Sequence, residues 1–406
     1  MATRPSGRTD VSRSAVLAQL GARPASRAEL ARVLSVSPAL ITQVVRDLLA
    51  DGLIKELEQS PSQGGRPARL LGLVTSAGRA VGLKIAPDHL VFVDVALDGT
   101  VIRSAQEPFD ASAPTLLDDL SRSVRAYLAT DDDLPVLGIG VAVPGTVDSQ
   151  ASGVVDSVQL GWAQTPLGAH LRRSLGLPVL VENNVNALAI AERLFGIGRS
   201  YDTFATLTIG TGVGLAIVMD GGVMRGGAGG AGEIGHLPVV ANGSPCTCGN
   251  RGCLETVVGQ QALEQTGRDL GVIKPAEGID ELVAAADAGD VRAQTIFENA
   301  GHTLARAVAG LVQILDPEVI VLLGEGTAAW AHWSVGFEPE FRACLLPSRR
   351  GVPLMLETWN DESWAQGAAC LVLSTPFDID LAGEQGRLVR SRLADRPTLE
   401  GASRGR

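Results

Sequence analysis

Apolar positions in the first 75 residues recur at helical spacing and then alternate, which predicts helices followed by a pair of strands. Val11, Ala15, Val16 and Leu20 share one side of a helix that Gly21 stops. Ser26 opens a short helix through Leu34, with Glu29 three residues on to complete a capping box. Ser37-Pro38 supplies an N-cap and a proline at the first position of a longer helix. The buried side of that helix carries Ile41, Val44, Val45, Leu48 and Leu49, and Asp51-Gly52 ends it. Short helix, tight turn, longer helix is a helix-turn-helix. Leu53-Ile54-Lys55 and Leu70 to Val74 read as a strand and its return, joined by the flexible basic tip Gly64-Gly65-Arg66-Pro67-Ala68-Arg69. Residues 1–75 are therefore expected to form a winged helix-turn-helix.

From about Arg79 strand-like and helix-like periods mix. Val81 to Ile85, Leu90 to Val95 and Val101-Ile102 read as strands, with Asp98-Gly99 turning between the last two. Pro114 to Ala129 and Asn186 to Phe195 read as helices. Val136 to Val143 and Pro178 to Val181 are further strands. Phe204 to Ile209 leads into Gly210-Thr211-Gly212-Val213-Gly214, and Val319 to Leu323 ends in Gly324-Glu325-Gly326. Such mixing predicts α/β layers with mixed sheets. The span 79–375 exceeds a comfortable single core, so two lobes with a cleft are expected. Beyond Ser374 periodicity is lost, and 376–406 is expected to be a flexible tail.

Composition agrees with a globular chain: 45% of the 406 residues are hydrophobic. No apolar run approaches the ~18 residues needed to span a bilayer. The first ten residues lack the apolar stretch of a secretory signal, so a cytoplasmic protein with no membrane partner is expected. The net charge of −11 is unevenly spread. Residues 1–75 hold ten basic against six acidic side chains, and the remainder 24 against 39. A small basic module on an acidic body suits a protein that binds double-stranded DNA through one end. The longer helix would enter the major groove with Ser37, Ala39, Thr42, Gln43 and Arg46 on its solvent side. Thr42, Gln43 and Arg46 are expected to reach base edges or phosphates there, and Arg66, with Arg69, the adjacent minor groove or its phosphates. Ser37, Thr42, Gln43, Arg46 and Arg66 are the candidate DNA-binding residues. The alternative is a winged helix used only for protein contacts.

Three of the five cysteines, Cys246, Cys248 and Cys253, fall within eight residues, and His236 lies ten positions upstream. In a reducing compartment this Cys₃His set predicts a tetrahedral structural zinc site. Cys344 and Cys370 stand alone in apolar surroundings and are expected to be buried thiols. Two carboxylates, Glu233 and Glu255, flank the metal segment. Either the loop holds them for another ligand, or they pair with Arg251 and its neighbours.

The chain resembles the ROK family (repressors, open reading frames and sugar kinases) over about residues 80–374. The resemblance rests on Val143-Pro144-Gly145, Gly161-Trp162, Glu182-Asn183-Asn184-Val185-Asn186-Ala187, Gly210 to Gly214, Gly232-Glu233-Ile234-Gly235-His236 and Cys246-x-Cys248-x₄-Cys253-x-Glu255. It implies an actin-like, two-lobed sugar-kinase fold, usually dimeric or tetrameric. The winged helix is what the repressor branch of the family carries. It also implies a hexose gripped by Glu233, His236 and Glu255, with Asn183 and Asn184 beside them at a helix N-terminus. Helix capping is the alternative role for the two asparagines.

The chain departs from the family's kinases at two places. Their phosphate turn reads Asp-x-Gly-Gly-Thr, whereas Lys84-Ile85-Ala86-Pro87-Asp88 has a proline without an N–H and an aspartate that repels phosphate. Their Glu-Asn-Asp-x-Asn motif supplies an aspartate as general base, and Asn184 stands in its place. A carboxamide takes up no proton at neutral pH, which forfeits roughly 10²–10⁴ in rate. The expected protein is a sugar-responsive DNA-binding transcriptional regulator, a repressor of carbohydrate-metabolism genes. Its disabled kinase domain has no catalytic residue and senses a small sugar or sugar phosphate. A homodimer or homotetramer would match operator half-sites. The alternatives are an ATP-dependent sugar kinase, bifunctional or not, and a constitutive DNA binder with a vestigial sugar pocket.

Overall fold

Serines begin the second and third helices of the N-terminal module, as their spacing predicts. Ser26 Oγ accepts from the Glu29 amide at 3.2 Å and opens the helix Arg27–Val33. Glu29 does not close the capping box but bonds Arg23 at 2.5 Å. Ser37 Oγ accepts from the Leu40 amide at 3.3 Å and opens the helix Pro38–Ala50, which buries Ile41, Val44, Val45 and Leu48. Gly52 leaves that helix at φ +65°, a conformation that costs glycine little. The structure, a computed structural model, describes residues 13, 15–17, 19–21, 23–57, 69–129, 134–357, 360–375 and 383–394. Strands β1 (Ala25–Ser26), β2 (Ile54–Leu57) and β3 (Leu70–Leu73) form the wing sheet in the order β1-β3-β2. The wing tip 64–68, with Arg66, and Val11 of the first expected helix lie outside the described residues.

The described chain divides into two compact units, Met1–Gly196 with Glu362–Arg406, and Ile197–Asp361. The winged module and the first α/β sheet thus fall in one unit. A side chain at Gly21 would meet Leu73 at 3.6 Å and Phe195 at 3.8 Å, so the module packs on its neighbour.

The first unit is built on β4 (Arg79–Ile85), β5 (His89–Ala96), β6 (Val101–Pro108) and β7 (Val136–Val143). A small sheet of β8 (Thr146–Val147), β9 (Val155–Ser157) and β10 (Trp162–Thr165) precedes the last strand, β11 (Val179–Asn183). The five-stranded order is β11-β7-β4-β5-β6, with β4, β7 and β11 parallel and β5 and β6 antiparallel. The helix Asp361–Ser374 lies directly on this sheet. A Cβ at Gly82 would sit 1.8 Å from the Ala365 carbonyl oxygen, and one at Gly140 1.7 Å from that of Ala368. Both are backbone contacts that no rotamer change relieves. Gly140→Ala should therefore lower stability by about 3 kcal/mol, the upper range for overpacking. Chemical denaturation would measure it, and a loss below about 1 kcal/mol would refute this account of the packing.

The second unit holds β12 (Phe204–Ile209), β13 (Val213–Met219), β14 (Gly222–Val223), β15 (Val319–Leu323) and β16 (Leu354–Leu356), in the order β14-β13-β12-β15-β16. Its core joins the sheet to the helices Val291–Leu315 and Trp330–Cys344 through Phe297, Leu304, Trp333 and Phe337.

Two expectations need correction. Inside the stretch 376–406, read as a flexible tail, Gly383–Ala394 form a helix that buries Val389 and Leu393. Cys344 is exposed, because it ends the helix Trp330–Cys344, while Cys370 is buried as expected. No helix among the described residues is long and apolar enough to cross a membrane.

Candidate metal centre and ligand-binding carboxylates

The segment from Leu237 to Leu254 has almost no regular structure, only the isolated bridges Pro238 to Cys253 and Pro245 to Arg251. The Cys246 amide donates to the Asn250 carbonyl at 2.8 Å and the Gly249 amide to the Cys246 carbonyl at 3.0 Å, closing a tight knuckle. Gly249 adopts φ +90° there, a conformation that favours glycine. The knuckle and the returning strand bring His236, Cys246, Cys248 and Cys253 together, with ligand atoms all within 4.8 Å of one another. Cys246 Sγ lies 3.5 Å from His236 Nδ1, and Cys248 Sγ lies 3.7 Å from Cys253 Sγ. Tetrahedral zinc, with bonds of ~2.3 Å to sulfur and ~2.0 Å to nitrogen, sets sulfur pairs about 3.8 Å apart and sulfur–nitrogen pairs about 3.5 Å apart. The spacing fits, so the cluster can bind a metal ion. Burial, helped by the neighbouring thiols, pushes Cys253 up to about 12. Cys248 is held below the ordinary thiol range, chiefly by a hydrogen bond from the Asn250 backbone.

His236 ends the short 3₁₀ turn Ile234–His236. A Cβ at Gly232 would sit 2.0 Å from the Leu215 carbonyl oxygen and one at Gly235 2.6 Å from that of Val213. Both glycines are needed for the turn to lie on β13. With Nδ1 facing the thiols, His236 Nε2 lies 3.7 Å from Glu233 Oε2. Burial, then the nearby Glu255 charge, raises Glu233 above its usual range, although His236 opposes the shift. At 44% side-chain exposure, solvent screens much of this.

Glu255 begins the helix Glu255–Val258, and its Oε2 accepts from the Val213 amide at 3.3 Å. A Cβ at Gly212 would come within 2.7 Å of that oxygen. The Gly210 to Gly214 turn therefore seats this carboxylate. Among the described residues neither Glu233 nor Glu255 pairs with Arg251, so the ion-pair alternative has no support. The structure brings together Glu233, His236, Glu255 and the three cysteines within one unit.

Asn183 and Asn184 belong to the other unit. The helix Asn184–Phe195 starts two residues before the sequence-based expectation because Asn183 caps it. Asn183 Oδ1 accepts from the Val185 amide at 2.8 Å and the Asn186 amide at 3.2 Å, and its Nδ2 donates to the Gly145 carbonyl at 2.8 Å. Both ends of this side chain are thus engaged internally. Asn184 Oδ1 accepts from the Val185 amide at 3.0 Å, and its Nδ2 carries no hydrogen bond among the described residues. Between β4 and β5 the Ala86 amide is spent on the His89 carbonyl at 3.0 Å. His89, 2.7 Å from Asp88, holds that carboxyl below its usual range, so the turn carries negative charge.

On the helix Pro38–Ala50 the residues Ser37, Thr42, Gln43 and Arg46 are all exposed. Ser37 is occupied as the cap, and Thr42 Oγ1 donates to the Pro38 carbonyl at 2.8 Å. Arg46 donates to Gln43 Oε1 at 3.1 Å, while Gln43 Nε2 donates to Asp47 at 2.9 Å.

Glu325 is a residue that sequence reasoning passed over. Its Oε1 accepts from the Thr211 amide at 2.8 Å and from Thr211 Oγ1 at 3.2 Å, on the same glycine turn that seats Glu255. The available signal was an acidic residue between two glycines at the end of β15.

The model of the ROK family matches residues 80–375. The chain is 26% identical over 302 residues to the xylose repressor of Bacillus subtilis (strain 168), covering 74% of this chain and 78% of that one. It is 28% identical over 320 residues to the DNA-binding transcriptional dual regulator NagC of Escherichia coli (strain K12), covering 75% and 78%. A solved ROK family transcriptional regulator, homologous to the E. coli MLC protein, superposes with a TM-score of 0.76 at 26% identity, covering 96% of this chain and all of that one. A ROK family glucokinase from Streptomyces griseus, in complex with glucose and AMPPNP, superposes with a TM-score of 0.64 at 26% identity, covering 72% and 99%.

Proposed function

This chain belongs to the ROK family, and we propose that it is a cytoplasmic, sugar-responsive transcriptional repressor whose kinase-like region senses a sugar without phosphorylating it. The observation that carries this reading is one chain that joins an exposed helix-turn-helix face to a sugar-type carboxylate set on a metal loop. Arg46 and Gln43 offer donors for base edges or phosphates, with Thr42 and the capping Ser37 at the same exposed face. Arg66 extends the contact from the wing. A homodimer or homotetramer presents two such helices to operator half-sites. The metal is zinc, held as a closed structural site by His236, Cys246, Cys248 and Cys253.

Glu233, Glu255 and His236 Nε2 are the sugar-facing groups, and the Nδ2 of Asn184 is a separate candidate for a sugar hydroxyl. A carboxylate accepts two hydroxyl hydrogen bonds side by side. Two carboxylates repel a phosphate, so a neutral sugar is favoured over a sugar phosphate. Asn183, already satisfied at both ends, positions the helix and is the weakest of the sugar candidates. Against turnover stand Asn184 in place of a general base and the glycine-free turn at Lys84–Asp88, where Pro87 lacks an N–H and Asp88 stays ionised. The resemblance to a glucokinase keeps a kinase as the second reading.

Fluorescence anisotropy on the DNA upstream of the protein's own gene, with a panel of neutral sugars, tests the main reading. One sugar should weaken DNA binding at least about tenfold, a coupling of roughly 1.4 kcal/mol. Sugar that binds by calorimetry but leaves DNA affinity unchanged would defeat the sensor reading. Coupled ADP release from the wild type with the same sugar would establish the kinase instead, and Asn184→Asp should then be faster still.

A further inference from the structure

The wing sheet gathers three charged side chains at one end. Its register pairs Ser26 with Leu70 and Leu70 with Leu57, a row across β1, β3 and β2. The chain leaves β2 after Leu57 and re-enters β3 at Leu70, so this row is the end from which the wing tip departs. Arg27 begins its helix one residue after the row, and Arg69 stands one residue before it. Both guanidinium groups converge on one carboxylate. Arg27 Nη2 donates to Glu56 Oε1 at 3.0 Å, and Arg69 Nη1 donates to Glu56 Oε2 at 2.5 Å. All three side chains reach solvent, Arg69 at 65%.

The ratio of charges separates this cluster from the other ion pairs of the module. Arg13 is matched by Asp51 and Arg23 by Glu29, each at 2.5 Å. Arg27 and Arg69 share Glu56, which leaves one positive charge in excess at the wing-tip end. Hydrogen bonds from Arg27 and then Arg69 hold the Glu56 carboxyl below its usual range, so it stays ionised at neutral pH. Each arginine spends one nitrogen on Glu56 among the described residues and keeps the rest of its fork for another oxyanion. Solvent-exposed bridges of this kind add little to stability, so stability alone does not account for the arrangement. A phosphate diester suits it, because a guanidinium fork grips two phosphate oxygens side by side. A phosphate within reach of both forks also lies close to Glu56, and the like charges repel.

We propose that Arg27 and Arg69 form a clamp on the phosphate backbone of double-stranded DNA, and that Glu56 between them limits its grip and so holds sequence-independent binding in check. The clamp rests on the DNA-binding reading. It adds a backbone contact outside the helix Pro38–Ala50 and an acidic residue that opposes it.

Fluorescence anisotropy of the full chain on a duplex of about 20 base pairs of arbitrary sequence, between about 50 and 200 mM salt, reads both effects. Arg27→Gln and Arg69→Gln should each weaken binding about three- to tenfold and lower the slope of log affinity against log salt by about 0.9. Arg27→Lys keeps the charge and should keep the slope. Glu56→Gln should tighten binding at least about threefold at the lowest salt, with an unchanged melting temperature. A merely structural bridge would instead make all the glutamine variants lose binding alike. The clamp is overturned if Glu56→Gln fails to tighten binding, or if either arginine-to-glutamine variant keeps the wild-type slope, while the wild type still binds DNA. A wild type that binds no duplex even at the lowest salt would overturn the DNA-binding reading, and the clamp with it.

Discussion

Replacing Cys253 by serine should lower the purified protein's metal content from about one zinc per chain to near zero, and lower its melting temperature by about 10 °C. Cys253 is fully buried, and it sits where the returning chain bridges Pro238. A serine hydroxyl is a poor zinc ligand, and three remaining ligands leave the shell open. Backbone hydrogen bonds such as Val239 N–H to the Gly252 carbonyl and Gly252 N–H to the Ser244 carbonyl shape the loop, but apolar packing adds little. Leu237 and Val240 are more than 40% exposed, and neither belongs to the unit's hydrophobic core. A ligand held at 1,000 times its dissociation constant stabilises the native state by ~4 kcal/mol, and each kcal/mol is worth about 2–4 °C in a unit of this size. The core around Phe297 and Trp333 does not include the cysteines, so the second unit should stay folded while limited proteolysis opens the loop at 237–252. A metal there would also fix the His236 ring, so sugar affinity should fall when it is lost. A protein free of zinc by elemental analysis, yet equally stable and equally responsive to sugar, would remove the metal from this account.

What the sequence made legible were features whose signal is local. The helix-turn-helix was readable because Ser37-Pro38 and Asp51-Gly52 mark its longer helix, and the same residues cap it in the structure. The Cys₃His cluster, which could hold a metal ion, was readable because three of its four residues share one loop. Features set by tertiary contact were not readable. The helix Gly383–Ala394 has only Val389 and Leu393 turned inward as a clear apolar pair, too few to register as a period. Distant partners hold it: Arg392 Nε donates to the Val136 carbonyl at 3.0 Å, and Gln385 accepts from the Val179 amide at 3.4 Å. Cys344 was expected inside because its neighbours are apolar, but its place at the last turn of a helix turns it to solvent beside Glu340. Asn183 shows the limit of motif reading. Its sequence context suits sugar contact and helix capping equally, and only the bonds to Val185, Asn186 and Gly145 reveal how fully the cap uses it.

Changing Glu255 to alanine should weaken sugar binding by at least ~100-fold and shift the sugar dose needed to release DNA by the same factor. DNA affinity without sugar should stay unchanged. One oxygen of this carboxylate is held by the Val213 amide, and the other carries no hydrogen bond among the described residues. Gly212 leaves the space that the seated carboxylate occupies. The side chain is therefore oriented before any ligand arrives, and little entropy is lost on binding. Hydrogen bonds to a charged acceptor contribute about 1.5–3 kcal/mol each, so two vicinal hydroxyls account for the ~3 kcal/mol that 100-fold requires. Glu255→Gln keeps an acceptor at the same place but loses the charge, and should fall about tenfold. The alanine variant also leaves the Val213 amide to solvent, at a stability cost of about 1 kcal/mol that a melting curve would register separately. A ligand shifts a conformational equilibrium only through its difference in affinity for the two states. If Glu255 contributes to that difference, the maximal response should shrink as well as move to higher sugar. If it contributes equally to both states, only the midpoint should move. An unaltered response in Glu255→Ala would mean that this carboxylate has no part in sensing, whereas a wild-type protein whose DNA affinity no sugar changes would be a constitutive DNA binder with a vestigial pocket.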